Sequence, residues 1–216
     1  MNINLKVIDI SHWQSGINGN PIDFAAIKAF GIVGVILKAS QGASGHDATY
    51  DDNRQAASDA GLKVGAYHFA TGDDADAQVA NFLKRAAPDA DTLMALDHEP
   101  YDTNLDLDGA RAFLESLKDQ LGRTPKMYSG NLIKEQMAKG LSDDNRAFFS
   151  GIPLWLSHYN NHFILPPAWD HYWLWQFAGD GTNNNGITVP GILHGDKVDM
   201  NSYDGTDEEL AGTWAG

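Results

Sequence analysis

Short apolar runs alternate, along the first two-thirds of the chain, with longer segments whose apolar residues recur at helical spacing. Residues 7–10, 33–40, 64–70, 92–97 and 126–128 read as strands. Residues 22–30, 51–60, 75–87, 107–121 and 132–139 read as helices. Val79, Phe82 and Leu83 share one face of the third helix, and Gly31, Gly122 and Gly140 stand where three of the five stop. Beyond residue 140 the rhythm changes. Residues 154–159, 172–177 and 198–203 again look like strands, but irregular stretches such as Pro166-Pro167, Asn183-Asn184-Asn185-Gly186 and Pro190-Gly191 replace the connecting helices. Strands alternating with helices imply a parallel α/β sheet, and eight strands imply a TIM-like barrel that lacks helices at its end. No linker, repeat or low-complexity stretch divides the 216 residues. One catalytic domain is therefore expected over 1–216, with a core from about 7 to 205 and a short, acidic, peripheral tail over 205–216.

The polar residues of these strands fall at their ends. Asp9, Lys38, Tyr67, Asp97 with Glu99, Tyr128, His158 and Asp199 all lie in or near the C-terminal portion of a strand, the face on which barrel enzymes build their active sites. The run Ala95-Leu96-Asp97-His98-Glu99-Pro100 is the most informative. Strand alternation points Asp97 and Glu99 the same way, about 6.6 Å apart along the backbone at ~3.3 Å per residue. Two carboxyls at the end of an apolar strand push each other's pKa apart, leaving one protonated and one ionised. Glycoside hydrolysis needs such a pair.

Composition narrows the field. With 29 acidic against 15 basic residues the net charge is −14, which is not the electrostatic footprint of a nucleic-acid binder and disfavours anionic membranes. The absence of cysteine rules out disulfides, thiolate metal sites and cysteine nucleophiles. No apolar run approaches the ~18 residues of a membrane span, and the first residues carry no apolar signal-peptide core.

Eight segments in order resemble the family 25 glycoside hydrolases, the Ch-type lysozymes. They are Ile8-Asp9-Ile10-Ser11-His12-Trp13-Gln14, Lys38-Ala39-Ser40-Gln41-Gly42, Gly65-Ala66-Tyr67-His68-Phe69 and Leu96-Asp97-His98-Glu99. Met127-Tyr128-Ser129-Gly130, Leu154-Trp155-Leu156-Ser157-His158-Tyr159 and Trp175-Gln176-Phe177 follow, and then Gly191-Ile192-Leu193-His194-Gly195 with Val198-Asp199-Met200-Asn201. The resemblance implies a flattened barrel of eight strands and five helices. It also implies cleavage of the β-1,4 bond between N-acetylmuramic acid and N-acetylglucosamine in bacterial peptidoglycan, without a cofactor or metal. Carried over, Glu99 matches the general acid/base and Asp97 its partner, while Asp9 and Asp199 flank the cleft. Tyr67, Tyr128, Lys38, His158, Trp175 and Gln176 are the candidate substrate-binding residues. The chain is expected to act as a monomer, secreted or released onto the cell wall, as a phage endolysin would be. Two positions depart from the family pattern: Gln41 stands where a Glu is frequent, and His98 where an aliphatic residue is usual. Alternation turns His98 away from the cleft, toward packing or a supporting hydrogen bond.

Other readings set the alternatives. Asp97 could attack the anomeric carbon itself, or orient the substrate's acetamido group so that its carbonyl oxygen attacks; the resemblance favours the second. Trp13, Trp155, Trp169, Trp173 and Trp175 could stack on sugars, although most large aromatics in a barrel are core. Asp9, His68 and Asp97 could hold a hard metal in a polysaccharide deacetylase, and His158-x-x-x-His162 has the spacing of a metal pair only if helical. A family 18 chitinase would need an acid where Ala95 stands. An inactive peptidoglycan-binding barrel would have little reason to keep four buried carboxyls, which cost stability.

Overall fold

A computed structural model describes residues 3–14, 21–160, 162 and 164–216. Its centre is a sheet whose strands run in the order β1 (Leu5–Ile10), β9 (Asp199–Ser202), β8 (Leu174–Ala178), β7 (Leu154–Ser157), β6 (Lys126–Ser129), β5 (Leu93–His98), β4 (Lys63–Phe69), β2 (Gly34–Gln41). Pairing of β1 with β2, Val7 opposite Gly34 through Ile10 opposite Leu37, closes these eight into the expected barrel. A ninth strand, β3 (Gly45–His46), is a two-residue hairpin arm on β2.

Side-chain alternation sorts the strand residues into two apolar populations. Val7, Ile36, Leu93, Ala95, Trp155 and Leu174 fill the barrel. Their neighbours Ile8, Val35, Leu37, Met94, Leu96, Met127 and Leu156 face outward and bury the apolar stripes of the surrounding helices. Those helices include α1 (Phe24–Phe30), α2 (Tyr50–Asp59), α3 (Ala75–Ala86), α4 (Leu107–Leu121) and α5 (Asn131–Lys139). Their ends follow local chemistry. Asp23, Asp74 and Asp106 each accept a backbone N–H three residues on and so cap α1, α3 and α4, which is where several of the surplus acids are used.

Three features differ from the sequence expectation. Two further helices are present among the described residues: α6 (Asp143–Ser150), capped by Ser142, and α7 (Asp207–Gly212), held by a Thr206–Glu209 capping box. The tail is also not peripheral. Leu210 and Trp214 are buried against the inner barrel residues, and Trp214 donates its indole N–H to the Val64 carbonyl at 2.9 Å. The ring lies so close to Gly34 that a Cβ there would overlap it. Last, β9 is antiparallel to both β1 and β8. Asp199 therefore begins its strand rather than ending it, yet it lies opposite Asp9. An antiparallel neighbour needs no helical crossover, so the irregular 179–198 connection suffices.

Candidate active site

At the C-terminal end of the parallel strands the inward positions change from apolar to polar. Asp9 from β1, Tyr67 from β4, Asp97 and Glu99 from β5, Tyr128 from β6, Trp155 from β7, Gln176 from β8 and Asp199 from β9 line one cleft, with Tyr159 and Asp180 from the loops after β7 and β8. The inner part of the cleft has a volume of about 120 Å³. It can take one substituent or one edge of a sugar, while the rest of a chain lies across the open surface.

Gln176 organises the floor. Its amide nitrogen donates to both carboxyl oxygens of Asp9, at 3.2 and 3.1 Å, and its carbonyl oxygen accepts the hydroxyls of Tyr128 and Tyr159, each at 2.8 Å. Asn201 adds a 2.7 Å bond to Asp9 and accepts the Trp155 indole N–H at 2.6 Å. A chain of fixed donors thus runs from Trp155 through Asn201, Asp9 and Gln176 to the two tyrosines. Across the cleft Asp97 is only 6% exposed, and its Oδ1 has no hydrogen-bond partner among the described residues. Gly179 lets the last wall approach: a Cβ there would lie 2.5 Å from the Tyr159 hydroxyl and 2.6 Å from Asp199 Oδ1.

Burial is the main force on Asp9, Asp97, Glu99 and Asp199. It pushes Asp9 up to about 6, against the bonds from Asn201 and Gln176. Asp97 and Asp199 are held well above the ordinary carboxylate range by burial, reinforced by Glu99 for the first and by Asp9 and Asp180 for the second. Glu99 is raised by burial and by Asp9. Lys38 is the opposing cation for Asp97 and Glu99, and burial lowers its own pKa. Carboxyls this close share protons as a group. Raised together, these four favour holding a proton among themselves.

Seven of the ten residues singled out from the sequence line the cleft: Asp9, Tyr67, Asp97, Glu99, Tyr128, Gln176 and Asp199. Lys38 stands beside it, its amine donating to Gln41 Oε1 at 2.8 Å and lying 4.6 Å from the Phe69 ring centre. Trp175 and His158 are not brought in. Trp175 alternates with Gln176 and packs outward in the core, donating its indole N–H to the His158 carbonyl at 2.7 Å. His158 follows β7 on the parity of outward-facing Leu154 and Leu156, and His162, beyond Asn161 (itself outside the described residues), is exposed. Trp169 is core; Trp173 packs between Tyr203 and Trp214 at the opposite end of the barrel.

His98 turns from the cleft to meet Gln136 Oε1 at 2.9 Å, as alternation required. His68 is likewise outside the barrel, bonded to Ser40 and Gln78 and packed on Phe82 and Phe113. The metal set of Asp9, His68 and Asp97 is therefore not assembled. Tyr159 stands in the 154–159 motif, in which the sequence assigns it no role, and falls just past β7; Asp180 sits in a loop without periodicity. The signal for Asp180 was the Gly179-Asp180-Gly181 turn, in which Asp180 takes a left-handed φ of 51° and its N–H reaches Asp199 Oδ1 at 3.3 Å.

The model of the glycosyl hydrolases family 25 matches residues 8–186. A curated relative, the autolytic lysozyme of Clostridium acetobutylicum, is 25% identical over 222 residues; the match covers 95% of this chain and 62% of that protein, so the chain spans under two-thirds of its length. Among solved structures, a muramidase from Trichobolus zukalii is 25% identical with a TM-score of 0.79, covering 99% of both chains. A lysozyme from Streptomyces coelicolor is 23% identical with a TM-score of 0.81, covering 100% of this chain and 98% of that one.

Proposed function

The chain belongs to the glycosyl hydrolases family 25, and from that membership we propose that it is a muramidase, cleaving the β-1,4 bond between N-acetylmuramic acid and N-acetylglucosamine in bacterial peptidoglycan. The observation that carries this reading is the Asp97–Glu99 pair, set in a cleft with Asp9 and Asp199 where burial raises all four carboxyls. Residues 1–216 act as one catalytic domain. The partner is the glycan strand, met by a monomer secreted or released onto the wall as an endolysin is.

Glu99 is the general acid. It is the less buried member of the pair and stands one residue past the end of β5, within reach of a glycosidic oxygen lying across the rim. In the first step its proton passes to the leaving oxygen while the substrate's acetamido carbonyl oxygen bonds to the anomeric carbon. Asp97, on the floor beneath, orients that acetamido group by accepting its N–H and balances the positive charge that develops on it. Water then opens the cyclised intermediate, Glu99 takes back a proton as general base, and the β-configuration is retained. Tyr67, Tyr128 and Asp9 form the wall against which the acetamido-bearing sugar rests.

Incubation with purified peptidoglycan, followed by mass spectrometry of the new reducing ends, tests the activity. Muramic acid at those ends supports it, and glucosamine ends or deacetylated, uncleaved chains overturn it. Proton NMR of the nascent product tests the stereochemistry. An initial β-anomer is expected, and an initial α-anomer sinks the retaining mechanism. Substrates without the N-acetyl group should react far more slowly; full-rate cleavage with retention would make Asp97 the nucleophile instead.

A further inference from the structure

The largest charged group the catalytic reading leaves unused lies at the other end of the barrel. Lys126 opens β6 and points inward on the parity of Tyr128, so its amine enters the bottom layer of the barrel interior. It is 3% exposed. Among the described residues it makes no ion pair or hydrogen bond, and its Nζ lies 5.0 Å from the centre of the Trp173 ring. Burial and the nearby Arg123 push its pKa down to about 8, with no carboxylate contributing in the other direction. Arg123 spends its own guanidinium on the carbonyls of Asp89, Ala90 and Thr92. Two cations thus meet here without a paired anion, in a chain whose net charge is −14. A buried ammonium left without a partner is costly.

Beside that amine is a cavity of about 630 Å³, walled by Trp169, Tyr172, Trp173 and Tyr203 and closed on one side by Gly212 and Thr213 of the C-terminal helix region. It lies at the N-terminal end of the parallel strands, since Lys126 and Leu154 begin theirs and Tyr203 follows the end of antiparallel β9. Its size is that of small-molecule sites, which pair apolar walls with few polar groups. The indole N–H of Trp173 is already committed to Thr213 Oγ1 at 3.0 Å, which fixes the ring. Asp204 supplies the one carboxylate side chain of the lining and makes no ion pair with Lys126.

We propose that this cavity is a second ligand site, separate from the glycan cleft, that takes a small carboxylate carrying a flat apolar body. The carboxylate pairs with the Lys126 ammonium, and the body packs against Trp173 and Tyr203. An anion supplies what Lys126 lacks, and the Trp173 and Tyr203 rings, whose planes meet at 62°, offer an apolar corner for the body.

The probe pair is 1-naphthoate and its uncharged amide, titrated into the full chain by calorimetry and by heteronuclear NMR. Saturable binding of the acid is expected, with shifts centred on Lys126, Trp173 and Tyr203 and with the amide at least tenfold weaker. Lys126→Met keeps the apolar stem and removes the charge; it should weaken the acid tenfold or more, leave the amide unchanged, and leave peptidoglycan hydrolysis intact. Equal binding of acid and amide to the unaltered chain overturns the proposal without recourse to a variant. So do absence of saturation up to millimolar acid, shifts centred on Asp97 and Glu99, or undiminished acid binding by Lys126→Met. Because the readout is binding, the result stands whatever the glycan cleft is found to hydrolyse.

Discussion

At the scale of single residues, the acid pair was legible because strand alternation is simple geometry: Asp-x-Glu at the end of an apolar strand puts both carboxyls on one face. Glu99→Gln keeps the shape and removes the transferable proton. Turnover on peptidoglycan should fall roughly 10²–10⁴-fold with no fall in melting temperature at neutral pH, and near-normal turnover would remove Glu99 from the mechanism. The role of Gln176 was less legible. Its place in a Trp-Gln-Phe motif marked it, but nothing local said that it would bond Asp9, Tyr128 and Tyr159 at once. Those partners come from three other segments, and only barrel closure brings them within 3.2 Å. Trp175 and His158 show the opposite error, since motif membership says nothing about which face of a strand a residue takes. Gln176→Met retains the volume and leaves Asp9 and both phenols short of a partner. A loss of about 2–4 kcal/mol in denaturant unfolding is expected from the buried polar groups set free. A variant as stable as the parent would show that water readily replaces the amide.

At the scale of elements, the strands and the first five helices could be read because each carries its own period and its own stop signal. Gly31 and Gly122, for instance, end α1 and α4 in left-handed conformations with φ of 109° and 67°. The direction of β9 could not be read, because four residues with one outward apolar side chain look the same run either way; pairing with β1 and β8 decides it. The tail was misjudged for a related reason. The six residues of α7 are too few and too acidic to suggest a core element, and only their docking buries Leu210 and Trp214 beneath the barrel. That docking depends on the bare backbone of Gly34. Gly34→Ala should cost about 1–3 kcal/mol by overpacking, and Trp214→Leu about 2–4 kcal/mol through the space it leaves. The double variant should cost clearly less than the sum, because the smaller side chain makes room for the added methyl. Strict additivity in thermal or chemical unfolding would mean that the two residues do not meet in solution.

At the scale of the whole molecule, the catalytic cluster and hydrogen-bonded acids outside the cleft pull stability in opposite directions as pH changes. Asp9 rises from 3.8 to about 6 on folding, and Asp97, Glu99 and Asp199 rise with it, chiefly through burial. Between the unfolded and folded values the native state binds more protons than the unfolded chain, so these groups lower stability as pH climbs through that window. For Asp9 alone the full penalty, on the order of 3 kcal/mol, is present once pH exceeds its folded value. Asp47, held down by bonds from His12 and Thr49, has the reverse sign: its contribution is present above its unfolded pKa and is lost as pH falls through the lower folded one. The net charge of −14 adds a general repulsion that acid also relieves. The melting temperature should therefore rise from pH 7.5 to a maximum near pH ~5 and fall below about pH 4, as acids such as Asp47 are protonated. Asp199→Asn isolates the cluster's share. It removes one buried charge from beside Asp9 and Asp180 while its carbonyl oxygen can still accept the Asp180 N–H. At pH 7.5 the variant should gain about 1 kcal/mol or more, roughly 2–4 °C for a chain of this size, and should lose activity as the proton-sharing group is broken. Nearer pH 5, where burial keeps more of the parent carboxyl protonated, the gain should shrink. An equal gain at both pH values, or a parent that melts lower at pH 5 than at 7.5, would show that the cluster is solvated and fully ionised at neutral pH.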